Sequence, residues 1–149
     1  EISCSLVGSE MCIRDRDDMD AGLARKLLGP DRILGVTAKT VEQARKACAQ
    51  GADYLGSGAV FGTTTKSDAR PMTMETLRAI CDCSDIPVVA IGGINLDNIG
   101  LLEGSHVAGA AIVSGIFAAQ DICLTTGRLK EAMIKICSSS RNFQKTVDN

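Results

Sequence analysis

Aromatic residues are nearly missing from this sequence: there is no tryptophan, one tyrosine (Tyr54) and three phenylalanines (Phe61, Phe117 and Phe143). A row of aromatic faces on which single-stranded bases could stack is therefore excluded. Charge of one sign is missing too. Sixteen Lys and Arg against 18 Asp and Glu leave a formal net charge of −2, with no broad pull toward nucleic acid or an anionic membrane. No apolar run approaches the roughly 20 residues needed to span a bilayer, and no stretch has the pattern of a secretion signal. With 45% hydrophobic and 23% charged residues, the chain also lacks the composition of a disordered one.

Histidine is almost absent as well, His106 being the only one. Cys81-x-Cys83 therefore has neither a second cysteine pair nor a histidine near it, and a zinc site, which needs about four converging ligands, is not expected. The seven cysteines show no disulfide spacing. Cys48, Cys81, Cys83, Cys123 and Cys137 fall mostly in helix-like apolar patterns, where cysteine packs as a small hydrophobe. Reduced thiols point to the cytoplasm, or to an organelle if the source is eukaryotic.

The first sixteen residues, EISCSLVGSEMCIRDR, show neither alternation nor a helical stripe. The string SLVGSEMCIRDR resembles a recurrent translation of sequencing-adapter DNA found joined to unrelated reads. Residues 1–16 are therefore expected to lie outside the fold as a disordered stretch, and no functional weight is placed on Cys4, Cys12, Arg14 or Arg16.

From Asp17 onward strand and helix patterns alternate. Asp20 begins a short helix with Leu23, Leu27 and Leu28 on one face, stopped by Gly29-Pro30. Ile33 to Val36 reads as a buried strand. Thr40 and Gln43 form a capping-box pattern ahead of Val41, Ala44, Ala47 and Cys48. Tyr54-Leu55-Gly56 opens another strand, and a loop from Phe61 to Pro71 leads to a helix near Thr73 with Met74, Leu77, Ile80 and Cys81 on one side. Val88 to Ile91 is a third strand, and Asn95 is read as capping a helix with Leu96, Ile99 and Leu102. Ala108 to Val113 is a fourth strand. Asp121 caps a last helix with Leu129, Met133 and Ile136, and residues 138–149 form a polar tail. Four strands alternating with five helices imply βαβ units and a parallel sheet, with continuously apolar strands buried on both faces.

Glycines choose between a barrel and a doubly wound sheet. Gly56, Gly58, Gly92, Gly93 and Gly115 all stand at strand C-terminal ends, where a (β/α)8 barrel carries its active-site loops. Gly56-Ser57-Gly58 opens no helix, so a dinucleotide fingerprint is not met. Three features then gather at one rim. Thr63-Thr64-Thr65-Lys66 supplies three hydroxyls and an ammonium to an anion. Ile91-Gly92-Gly93-Ile94 and Val113-Ser114-Gly115 supply bare backbone amides. Glycine-bearing loops after the last two strands match the usual phosphate site of such barrels. His106, near a turn at the opposite end, is read as structural.

These motifs carry a resemblance. From Asp17 to about Cys137 the chain resembles the C-terminal part of the thiamine phosphate synthase family, in ILGVTAKTVEQA, GADYLGSGAVFGTTTKSDA, IPVVAIGGINLDNI and AAIVSGIFAAQD. The resemblance implies about four to five βα units of a TIM (β/α)8 barrel. It also implies an enzyme that joins 4-amino-2-methyl-5-hydroxymethylpyrimidine diphosphate to hydroxyethylthiazole phosphate and releases pyrophosphate, with Mg²⁺. By position, Thr63, Thr64 and Thr65 would hold the thiazole phosphate, assisted by Gly93 and the Val113-Ser114 backbone. Lys66 would act in catalysis and contact the pyrimidine diphosphate, with Thr37 beside it. Asp18 would be a magnesium ligand.

Four departures accompany the resemblance. Thr37 stands where the family has serine, Phe61-Gly62 replaces Phe-Pro before the threonine loop, and the Gly-Gln that precedes the family's aspartate is absent before Asp18. The family's N-terminal half, with its basic diphosphate motif and Asn-Asp pair, has no counterpart in residues 1–16. An open half-barrel is thus expected, prone to self-association through uncovered apolar surface and weakly active or inactive on its own. The other readings are a TenI-like thiazole tautomerase, which generally lacks the threonine-lysine loop, a non-catalytic phosphate-binding barrel domain, and another phosphate-binding barrel.

Overall fold

The computed structural model describes residues 10–13, 19–62 and 72–139. Among these, five parallel strands lie side by side in sequential order: β1 (Glu10–Ile13), β2 (Ile33–Thr37), β3 (Tyr54–Gly58), β4 (Val88–Ile91) and β5 (Gly109–Ala111). A doubly wound sheet would reverse its order at a switch point. Sequential order with a helical crossover between strands is that of a (β/α) barrel, and these strands form part of one.

The crossovers are α1 (Ala21–Leu28), α2 (Val41–Ala49), α3 (Met74–Cys83), a 3-10 helix (Ile99–Leu102) between β4 and β5, the single turn α4 (Ser114–Phe117), and α5 (Ile122–Ser138). Each long helix starts where a short polar side chain can accept an orphan backbone N–H. Asp20 Oδ1 accepts from Gly22 at 3.0 Å, Thr40 Oγ1 from Gln43 at 3.2 Å, Thr73 Oγ1 from Thr76 at 3.1 Å and Asp121 Oδ1 from Leu124 at 2.9 Å. In the Thr40 box, the Gln43 side chain reaches back one residue further than expected and accepts from the Lys39 N–H at 2.7 Å.

Register and the period-two alternation of side chains divide the sheet into two faces. Val36 pairs with Leu55, Leu55 with Val88, and Ser57 with Ala90. This face is buried with Leu34 beneath Ala44 and Ala47 of α2 and Leu77 and Ile80 of α3. The other face carries Ile33, Gly35 and Thr37, then Gly56 and Gly58, Val89 and Ile91, and Gly109 and Ala111. The tyrosine ring of Tyr54 lies across Gly35 on this side. Ile33 and Ile91 remain 52% and 38% exposed there. Burial on both faces, expected from the apolar strands, therefore fails for this face. It is the barrel's inner face, and the described strands do not close around it.

Four further expectations need correction. Residues 1–16 do not stand wholly outside the fold, because Glu10–Ile13 pairs with Ile33–Val36. The outer edge of β2 offers N–H and C=O groups to a partner, and this short extended segment pairs with them. In α1 the buried residues are Ala21 and Ala24, whereas Leu23 and Leu27 stay 51% and 69% exposed. Cys123 is exposed rather than packed, while Cys81 and Cys137 are buried. Lastly, Asn95 caps no α-helix. Its Oδ1 accepts from the Asp97 N–H at 2.9 Å in a tight turn, and only the 3-10 helix follows. Bonds of the i+3 kind, from Leu101 N–H to Asn98 O and from Glu103 N–H to Gly100 O, hold that segment.

The N-terminal ends of the strands are tied by side chains. Arg25 donates to the carbonyls of Gly51 at 2.9 Å, Gly29 at 2.9 Å and Arg32 at 2.6 Å, and pairs with Asp53 at 2.5 Å. The same Asp53 oxygen accepts from the Leu34 N–H at 2.6 Å. At the start of β5, His106 Nδ1 lies 2.7 Å from Asp82 Oδ1, and Arg78 donates to the Gly104 carbonyl at 3.0 Å. These groups fit the structural reading of His106.

Candidate functional site

At the C-terminal ends of the strands the connections are made by backbone. Past the end of β3, the Val60 N–H donates to Ile91 O at 3.0 Å and the Phe61 N–H to Gly92 O at 3.1 Å. The loop after β3 thus runs along the end of β4 and the loop that follows it. The Met72 N–H returns to Ala59 O at 2.8 Å, which draws the two ends of the intervening segment together. That segment contains Thr63, Thr64, Thr65 and Lys66, which with Asp18 lie outside the described residues. What is fixed is the pair of anchors from which the threonine-lysine loop departs.

Gly93 follows β4 at φ +68°, in the left-handed region where side chains are strained. A Cβ here would also run into the backbone carbonyls of Gly62 and Phe61. Only glycine lets the two loops approach this closely. Gly115, in the first turn of α4, meets the β4 loop in the same way, since a Cβ there would strike Ile94 O. Three loops therefore touch: the end of β3 at Phe61-Gly62, the Gly93-Ile94 loop, and Val113 to Gly115.

The sequence-derived residues fall as follows. Gly93 sits half-buried at the centre of this junction. Val113 and Ser114 are exposed at the start of α4. Their carbonyls are taken, Val113 O accepting from Ile116 and Phe117, and Ser114 O from Ala118. Their N–H groups belong to the first turn, where a helix has no internal acceptors. Thr37 ends β2 on the inner face, paired with Gly56 one strand away from the β3 loop. Gly93 adjoins Ile94, whose carbonyl lies against Gly115 in the turn that Val113 and Ser114 open, and Thr37 stands on the same rim.

Sequence reasoning missed Asn98. Its side-chain amide donates to Gly93 O at 2.8 Å, while its Oδ1 accepts from the Asn95 N–H at 2.9 Å. The signal available was an asparagine five residues beyond a Gly-Gly strand end, where a side-chain amide can satisfy the loop that glycine leaves bare.

Burial, with Asp82 and Cys83 adding to it, pushes the Cys81 thiol up to about 12, so it stays protonated and inert on the buried face of α3. Among the described residues, no group of three or more His, Cys, Asp or Glu could hold a metal ion. A cleft of about 510 Å³ between β5 and α5, lined by residues such as Ala110, Ile112, Leu129 and Met133, lies on the helix side along the outer edge of β5.

A family model and the curated relatives point to one family. The family described as thiamine monophosphate synthase matches residues 14–116. The chain is 52% identical over 106 residues to thiamine-phosphate synthase 2 of Streptococcus pneumoniae, covering 71% of this chain and 50% of that protein. It is 44% identical over 123 residues to the chloroplastic thiamine biosynthetic bifunctional enzyme TH1 of Arabidopsis thaliana, covering 80% of this chain and 23% of that one. Among solved structures, thiamine phosphate pyrophosphorylase from Pyrococcus furiosus superposes with a TM-score of 0.74 at 36% identity, covering 87% of this chain and 60% of that one. The chain spans about half the length of the bacterial synthase it matches.

Proposed function

Because the chain belongs to the thiamine monophosphate synthase family, we propose that it carries the thiazole-phosphate-binding part of an enzyme joining a pyrimidinylmethyl diphosphate to hydroxyethylthiazole phosphate. The observation that carries this reading is the junction of three glycine-bearing loops at the C-terminal rim, with Gly93 packed against Gly62 immediately before the threonine-lysine loop. There the phosphate rests on backbone N–H groups of Gly93, Val113 and Ser114 and on the hydroxyls of Thr63, Thr64 and Thr65.

In the proposed reaction the C–O bond to the diphosphate breaks with its electron pair leaving on pyrophosphate. The resonance-stabilised pyrimidinylmethyl cation is then captured by the thiazole nitrogen, forming the new C–N bond. No strong base is required. What the site must supply is fixed positive potential for the leaving group and alignment of the two rings. Lys66 faces the diphosphate as a point charge, and the Thr37 hydroxyl donates to it. Mg²⁺, with Asp18 among its ligands, would neutralise further charge on the diphosphate.

This division explains which activity belongs to which part. On this reading the thiazole phosphate contacts fall within these 149 residues, together with Lys66 and Thr37 of the diphosphate contacts. The polypeptide as written is expected to bind thiazole phosphate and to turn over little, and its uncovered inner face favours self-association, which light scattering would measure. The test of function is titration of the purified chain with hydroxyethylthiazole phosphate, followed by an assay for thiamine phosphate with both substrates and Mg²⁺. Saturable binding with slow turnover is expected, and Lys66→Ala should abolish residual turnover while leaving thiazole phosphate binding intact. Absence of binding would sink the reading.

A further inference from the structure

β5 has a strand beside it on one edge only. Among the described residues it pairs with β4, and its other edge meets no strand. Along that edge, on the helix side, runs the cleft of about 510 Å³ between β5 and α5. Its walls are apolar apart from Thr126, Lys130 and Ser138, and β5 contributes the small residues Ala108, Gly109 and Ala110. The end of α5 is fixed over the start of β5 by Cys137 Sγ, which donates to Ala108 O at 3.2 Å. Ile134 stays 56% exposed in the cleft wall. An apolar groove beside an unpaired strand edge has the form of a seat for one more strand-and-helix unit. The strand would continue the parallel ladder, and the helix would lay its apolar face into the groove.

Strand arithmetic identifies the occupant. A (β/α) barrel closes at eight strands. Between Ile33 and Ser138, from β2 through α5, this chain fits four strand-and-helix units. The 106 residues matched to the Streptococcus pneumoniae synthase are 50% of that protein, so an equal length is left unmatched. At the spacing of β2 to α5 that length holds about four more units, which completes the barrel. Two copies of this chain would bring five strands each, more than closure takes. The surplus strand is β1. It stands on the outer edge of β2, which a closing half must also reach, and it ends before the family match begins at residue 14. We propose that the β5 edge and its cleft are the seat for a strand-and-helix unit of the half-barrel this chain does not match, and that Glu10–Ile13 holds the opposite edge in that half's place. Docking at both edges closes the barrel and displaces Glu10–Ile13.

The test co-expresses the 149-residue chain with the affinity-tagged half of the Streptococcus pneumoniae synthase that it does not match, and reads capture and hydrogen exchange. No substrate is present, so the outcome is independent of the proposed function. Capture in a one-to-one ratio is expected, with the Glu10–Ile13 amides losing the protection they have in the chain alone. Ile134→Glu sets a charge in the cleft at an exposed position, sparing the chain's own core, and should lower capture at least tenfold. Leu101→Glu, at a 62% exposed position between β4 and β5, should leave capture within twofold. A chain beginning at Arg14 should be captured at least tenfold more tightly. Should that variant misfold, exchange at Glu10–Ile13 in the full chain decides the point. No capture, or capture indifferent to Ile134→Glu, overturns the seat. Capture with Glu10–Ile13 still protected overturns its role as a stand-in. A self-dimer that Ile134→Glu dissolves, formed in place of the captured half, gives the cleft to a second copy and overturns the proposal.

Discussion

Around the N-terminal ends of the strands, long side chains reach across gaps to backbone carbonyls and to one another. Arg25 ties α1 to the turns before β2 and β3, Arg78 holds the Gly104 turn, and His106 pairs with Asp82 before β5. Around the C-terminal ends, loops touch backbone to backbone, with glycines at the contact points and one asparagine amide bridging them. The first rim is tied together by side chains. The second is built by leaving side chains out, which keeps backbone N–H groups accessible to an anion. The proposed function assigns stability to one rim and recognition to the other.

The largest expected effect comes from Gly93→Ala. The added Cβ meets the Gly62 and Phe61 carbonyls at a left-handed backbone position, so a strain of about 1–2 kcal/mol is joined by displacement of the threonine-lysine loop. Calorimetric titration should show thiazole phosphate affinity down by a hundredfold or more. The converse substitution is Arg25→Ala at the other rim. It removes the donors to three carbonyls and the partner of Asp53. Because Asp53 is half exposed, the loss should be moderate, about 2 kcal/mol in denaturant unfolding. Ligand affinity should stay within twofold; a large change would mean the two rims are not separate.

Much of this division was legible in the sequence. The glycines at strand ends, the capping threonines and the apolar stripes of α2, α3 and α5 announce themselves through period and turn chemistry. What was illegible depends on neighbours distant along the chain. Leu23 and Leu27 read as one apolar face of a helix and remain exposed, since periodicity reveals such a face and not whether anything covers it. Glu10–Ile13 carries no strand pattern, yet pairs because an unsatisfied sheet edge lies beside it. Asn95 has the look of a cap and Asn98 of an ordinary polar residue. Their roles are distinguished only once the chain bends at Gly92-Gly93 and brings the Asn98 amide back onto Gly93.

Smaller effects sharpen the same contrast. His106 adopts φ +64°, so His106→Gly loses the contact with Asp82 but relieves backbone strain that His106→Ala retains. Thermal unfolding should find the glycine variant more stable than the alanine variant by about 1 kcal/mol. The smallest expected effect is at Asp20, whose carboxyl is held below its usual 3.8 mainly by the hydrogen bond from Gln50, aided by Lys46 and by the Gly22 and Leu23 N–H groups. A carboxyl with a depressed folded value stabilises fully above the unfolded value and loses that contribution as pH falls through the folded one. Urea midpoints of Asp20→Asn and the unaltered chain should therefore differ near neutral pH and converge in acid below 3.8.

The separation of the rims is tested most directly by an amide-resolved NMR titration of the 149-residue chain with hydroxyethylthiazole phosphate. Saturable shifts concentrated at the Gly93, Ile94, Val113 and Ser114 amides, with Arg25, Asp53 and His106 unmoved, are the expected result. Shifts centred on the N-terminal rim, or no saturable shift at the glycine rim, would contradict it.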